Sequence, residues 1–114
     1  MKNYYQDKFI VMGKEGKSYT FFLRDMLHSH PGVFLLADNF EDYTPNIVYL
    51  ENSDNVLESV EKLRSNPTIA YHINDCLLGV SLEQLPIRRE ELFNGIWSGL
   101  SHIPKINELL SKIS

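Results

Sequence analysis

Apolar and polar residues alternate along this chain in short blocks, and each change of period marks a predicted element. Residues 8 to 12, Lys-Phe-Ile-Val-Met, form a β-branched and aromatic run ending at Gly13. Lys14-Glu15-Gly16-Lys17 then supplies a turn, which predicts a first strand. From Tyr19 the apolar positions are Tyr19, Phe22, Leu23, Met26 and Leu27, the spacing of one helical face. With Ser18 as N-cap and Pro31-Gly32 as the stop, they predict a helix over about 19–29. Tyr19, Phe21 and Leu23 also alternate, which keeps a hairpin partner for the first strand as the alternative.

Val33-Phe34-Leu35-Leu36-Ala37 is continuously apolar between Pro-Gly and Asp-Asn, the pattern of a strand buried on both faces. Residues 38–45 read as a polar loop and 46–50 as a further strand. Val56, Leu57, Val60 and Leu63 predict a helix capped by Ser53 or Asp54, with Glu58 and Lys62 paired at i, i+4 and Lys62 and Arg64 near its C-terminus. Asn66-Pro67 ends it. Thr68 to Ile73 has strand composition, and Ser81 to Pro86 resembles one capped turn stopped by proline. Leu92, Phe93, Ile96, Trp97 and Leu100 give the clearest helical face, weakened by Gly95 and Gly99, and Pro104 restarts the chain into a shorter amphipathic segment. The order β-α-β-β-α-β followed by helices predicts an α+β fold with one mixed sheet of about four strands, helices packed on it and two C-terminal helices.

The 114 residues and 43% hydrophobic content suit one globular domain over 1–114. No run of 18 apolar residues is available for a membrane-spanning helix, and residues 1–12 lack a secretory hydrophobic region. Cys76 is the only cysteine, so an internal disulfide or a thiolate zinc knuckle is excluded within one chain. A cytoplasmic location is the expectation.

Catalytic chemistry has few candidates. His28 and His30 are two apart, with Asp25 one turn earlier and His72 and Cys76 further on, but zinc needs three or four converging ligands and this spacing does not supply them. Helix-end and turn hydrogen bonds account for such histidines. Cys76 with His72 four residues earlier has the composition of a thiol and its base, yet a cysteine followed by Leu77-Leu78 is ordinarily a small buried residue. Gly16-Lys17-Ser18 matches the end of a phosphate-binding loop, but Val11 stands where its opening glycine belongs. Glu41-Asp42 and Glu90-Glu91 are sequence neighbours that need not meet across a cleft, and Glu90-Glu91 is read as stabilising a helix N-terminus beside Arg88-Arg89. The expectation is a protein without metal, cofactor or enzymatic activity, the enzyme alternative needing His28, His30 or His72 to meet an acid such as Asp25 or Asp75.

Charge is distributed less evenly than the net value of −4 suggests. Between Arg24 and Lys62 there are eight acids and no lysine or arginine, whereas residues 1–24 carry five bases against two acids. Such segregation attracts a basic partner and repels nucleic acid. Tyr43, Tyr49 and Phe40 are interleaved with the acids, and tyrosine is enriched at interface hot spots. The alternative is an ordinary solvated acidic face. The residues selected for partner binding are Asp38, Glu41, Asp42 and Tyr43 in the loop, and Asp54, Glu58 and Glu61 on the exposed side of the helix.

A small acidic chain with one cysteine and a tyrosine-bearing acidic stretch, Asp38-Asn-Phe-Glu-Asp-Tyr43 through Glu61, resembles the immunity proteins that bacteria make against their own nuclease toxins, including those of contact-dependent growth inhibition. The resemblance implies stoichiometric inhibition, with the acidic surface covering a basic toxin cleft as a mimic of phosphate. The rival expectation is an adaptor or regulatory subunit that dimerises through the helices spanning Leu92 to Leu110.

Overall fold

The computed structural model describes residues 8–23, 29–41 and 44–113. Five antiparallel strands, β1 (Lys8–Met12), β2 (Ser18–Leu23), β3 (Gly32–Glu41), β4 (Thr44–Ser53) and β5 (Leu77–Val80), form one sheet in the order β1-β2-β5-β3-β4. Four helices complete an α+β fold: α1 (Val56–Ser65), α2 (Pro67–Ile73), α3 (Pro86–Gly99) and α4 (Lys105–Ile113). The expected α+β class and the two C-terminal helices are present; the sheet has one more strand than expected and is antiparallel throughout. None of the described helices is long and apolar enough to cross a membrane.

β3 explains the architecture. Its Val33, Leu35 and Ala37 point to one face and its Phe34 and Leu36 to the other, and all are buried. On the first face they meet Val11, Phe21, Leu50 and Ile96, with Leu92, Phe93 and Trp97 of α3 packed over them. On the second they meet Val56, Val60 and Leu63 of α1, Ile69 and Ile73 of α2, and Ile106 of α4. Helices therefore cover both faces, α3 on one and α1, α2 and α4 on the other. A register shift between Leu36 and Ala37, where β4 steps from Tyr49 to Ile47, leaves Val48 as the bulged residue and lets Val48 and Tyr49 both serve the second face.

Residues 18–23 are a strand, not the start of a helix. The turn before them decides it: Glu15 (φ 60°) and Gly16 (φ 74°) both have positive φ, Lys17 N–H donates to Lys14 O at 3.3 Å and Gly13 N–H to Lys17 O at 2.7 Å. That geometry twists with a two-stranded ribbon, and it sets Phe9 opposite Phe21. Of the helix expected over 19–29, residues 24–28 lie outside those described, with His28 and Asp25 among them. Most of the expected loop at 38–45 is also strand, because β3 continues to Glu41 and β4 begins at Thr44.

Residues 68–73 are helical, against their strand composition. The side chain of Asn66 accepts hydrogen bonds from Thr68 N–H at 3.0 Å and Ile69 N–H at 3.4 Å. Pro67 occupies the first helical turn, where its missing N–H costs nothing. Asn66-Pro67 thus ends α1 and starts α2. The cap of α1 is Asn55, whose Oδ1 accepts from Glu58 N–H at 3.0 Å, and not Ser53 or Asp54. Residues 81–85 form no helical turn: Ser81 Oγ accepts from Glu83 N–H at 3.1 Å, and Pro86 opens α3 instead of stopping a turn. Glu90 and Glu91 consequently fall beyond the first turn of α3, too far in to act on its N-terminal dipole.

Candidate functional site

Of the seven residues selected from sequence, the five that are described lie in separate places. Asp38 and Glu41 sit on β3 near the β3–β4 connection, while Asp54 follows the far end of β4, a separation of roughly 25 Å along the strand. Asp42 and Tyr43 lie outside the described residues. Glu58 and Glu61 are one turn apart on the exposed side of α1.

Two of the acids have cations beside them. Asp38 accepts from the Asn46 amide at 2.7 Å and lies 3.8 Å from Lys105 of α4. Asp54 is 3.3 Å from the guanidinium of Arg89, although its own side chain is fully exposed. Among the described residues the remaining ion pair is Lys112 with Glu108 at 3.3 Å; Glu58 and Lys62 do not form one, despite their spacing. Among the described residues, Glu41, Glu51, Glu58 and Glu61 thus have no cation within ion-pair distance.

Glu51 is the most highly constructed of these. It lies two residues after Tyr49 on β4 and so on the same face. Its Oε1 accepts from the Tyr49 hydroxyl at 2.5 Å and its Oε2 from Ser59 Oγ at 2.9 Å, and Ser59 in turn shares a hydrogen bond with Ser53 at 2.6 Å. Strand and helix fix the carboxylate between them. Burial first, then the bond to Glu51 and the charge of Glu51, push the Tyr49 phenol far above its ordinary range, so it stays a donor at any physiological pH.

This carboxylate lies in a groove of about 390 Å³ between α1, β4, the start of α2 and α4. Tyr49, Leu63, Ile69 and Leu110 give it apolar walls, and Glu58 and Lys62 stand along α1. Besides the packing of Ile106, Leu109 and Leu110, an amide fixes α4 to the sheet edge: Asn107 accepts from Leu50 N–H at 3.0 Å and donates to Leu50 O at 2.9 Å. It pairs with the outer strand as another strand would, and so protects that edge while holding Leu110 over the groove.

Immediately after Glu51 on β4, Arg89 of α3 is buried and donates through Nη1 to Asn52 Oδ1 at 2.8 Å and Ser53 O at 2.7 Å. Its Nε is buried without a partner among the described residues. These bonds tie α3 to the strand that carries Glu51.

The residues weighed for catalysis are arranged otherwise. The Cys76 thiol donates to the backbone carbonyl of His72 at 3.5 Å, not to its ring, and burial first, then the Asp38 charge, raise the thiol above its usual range. A protonated thiol is a poor nucleophile. The His72 ring packs edge-on against Tyr71, and His30 Nδ1 lies 3.0 Å from Pro31 O. Among the described residues no group of three or more His, Cys, Asp or Glu is placed to hold a metal. Of the helices weighed for dimerisation, α3 packs Leu92, Phe93, Ile96 and Trp97 on one face of the sheet and α4 packs Ile106, Leu109 and Leu110 on the other.

Glu51 is one of the eight acids between Arg24 and Lys62, and neither it nor Ser59 nor Arg89 stands among the binding residues expected from sequence. The available signal was the i, i+2 relation of Tyr49 and Glu51 on a predicted strand. Comparison with family models, with curated proteins and with solved structures found no match to this chain.

Proposed function

We propose that the protein is a cytoplasmic binding protein that captures a basic protein through the acidic surface around Glu51, Glu58 and Glu61, as an immunity protein covers the cleft of a nuclease toxin. The observation that carries this is a half-buried carboxylate, Glu51, fixed by two hydroxyl donors and lacking a cation among the described residues, in a groove that Glu58 also lines. A carboxylate held this way is prepaid in orientation for an incoming positive group, and surrounding charge of the same sign raises the rate of encounter. Glu41, with Asp42 and Tyr43 beside it in sequence, lies at the other end of β4 and has no part in this surface. Asp54 has a smaller part, since Arg89 answers it.

The test is capture from native host lysate by the immobilised protein at low salt, followed by a salt gradient and mass spectrometry. One basic protein recovered in equimolar amount and released as salt rises supports the proposal. Glu58→Lys with Glu61→Lys should then slow association by about tenfold or more, while Asp54→Lys changes it little. Failure to recover a partner, or an association rate indifferent to the double reversal, would sink the idea.

A further inference from the structure

We infer that the groove between α1 and α4 is a pocket for one arginine side chain of the protein partner, with Glu51 at its base and Glu58 at its rim. This rests on the binding role proposed above and names the chemistry of its anchor. Each Glu51 oxygen already accepts one hydroxyl hydrogen bond and keeps capacity for another, because a carboxylate offers about four lone-pair sites. The two existing bonds fix its plane, so a planar donor can meet it without reordering. A guanidinium carries five donors in a rigid fork, is less strongly hydrated than an ammonium and lies well against apolar and aromatic surface. The groove offers those surfaces in Tyr49, Leu63 and Leu110, and its volume of about 390 Å³ accommodates a long side chain with several waters, each of which takes about 30 Å³.

Lys62 is the one cation lining this groove among the described residues. It is exposed, makes no ion pair with Glu51 or Glu58 among the described residues, and repels an arriving guanidinium. The site therefore makes opposite predictions for two neighbouring residues: removing the Glu51 charge weakens binding, and removing the Lys62 charge strengthens it.

The experiment is a methyl NMR titration of the full chain with N-acetyl-arginine amide, with N-acetyl-norleucine amide as the uncharged control. Saturable shifts at the Leu63, Ile69 and Leu110 methyls are expected with arginine only, about tenfold weaker in Glu51→Gln and tighter in Lys62→Gln. Should Glu51→Gln fold poorly, Glu58→Gln on the exposed helix surface must weaken binding in its place. Absence of saturable shifts, equal shifts with norleucine amide, or affinities unmoved by these variants would overturn the pocket. A partner captured from lysate with affinity unmoved by Glu51→Gln and Glu58→Gln would remove the pocket and leave the binding role, whereas arginine binding without any recoverable partner would remove the role and leave the pocket.

Discussion

The Tyr49 hydroxyl is directed at the Glu51 carboxylate two residues further along β4, at 2.5 Å, and burial with that bond raises the phenol pKa. An unfolded tyrosine ionises near pH 10. Below that pH the phenol is protonated in both states and its contribution to stability is complete. Above it the unfolded chain releases the proton while the folded chain holds it, so unfolding gains and stability falls as pH rises. Urea midpoints taken between about pH 8 and pH 11 should decline for the native chain. Tyr49→Phe, less stable at neutral pH by about 1–2 kcal/mol for the lost charge-assisted bond, should decline less steeply, so that the two curves converge. Parallel curves would show that Tyr49 ionises as freely in the fold as outside it.

Arg89 should be the costliest polar side chain to remove. Its guanidinium satisfies the Ser53 carbonyl and the Asn52 amide oxygen in a buried setting. Arg89→Ala leaves both acceptors without a donor and opens a cavity, so a loss of about 2–4 kcal/mol is expected in chemical denaturation. Arg89→Lys keeps the charge but cannot reproduce the fork and should recover only part of the loss. Asp54→Asn should leave stability unchanged, because its side chain is fully exposed and exposed pairs contribute little. A large effect of Asp54→Asn together with a small one of Arg89→Lys would reverse this assignment.

How much was legible from sequence depended on whether local pattern and tertiary partner agreed. β1, the core of β3, α1 and the two C-terminal helices could be read because their periodicity is the one they bury. Residues 19–23 failed because their spacing satisfies both periods, and the choice was made by pairing with β1 through the Glu15-Gly16 turn. Residues 68–73 failed because the capping chemistry of Asn66-Pro67 outweighs the β-branched composition that follows it. The acidic stretch was visible as charge, but the division into Asp38 near Lys105, Asp54 near Arg89 and a Glu51 with no cation among the described residues depends on side chains tens of residues away in sequence. No local pattern carries that information.

Gly95 and Gly99 looked like defects in a helix and prove to be its docking surface. A Cβ on Gly99 would lie 2.8 Å from the Gly13 carbonyl carbon and the Lys14 nitrogen, and one on Gly95 would collide with the Tyr19 hydroxyl. Alanine ordinarily stabilises a helix interior by about 1 kcal/mol over glycine. Here both substitutions should destabilise, since forcing atoms into a packed contact costs typically 1–3 kcal/mol. Gly99→Ala should be the worse of the two because it meets backbone. Gly95→Ala meets chiefly a hydroxyl, so Tyr19→Phe should relieve it, and a double-mutant cycle by thermal denaturation should return a favourable coupling. Additive losses would place the strain elsewhere.

Glu15 offers the opposite opportunity. It is the only non-glycine among the described residues with positive φ, at 60°, and Gly16 follows at 74°. Two successive positive φ values define the tight turn for which Asn-Gly is the preferred pair, because asparagine tolerates the left-handed region that costs other side chains roughly 1–2 kcal/mol. Glu15 is exposed and lines neither the groove nor the Arg89 contacts. Glu15→Asn should therefore raise stability by about 0.5–1 kcal/mol and leave partner capture as it was. A variant no more stable than the native chain would mean that the Glu15 side chain compensates its backbone, and Glu15→Gly would decide the matter, since it removes the side chain and the strain together.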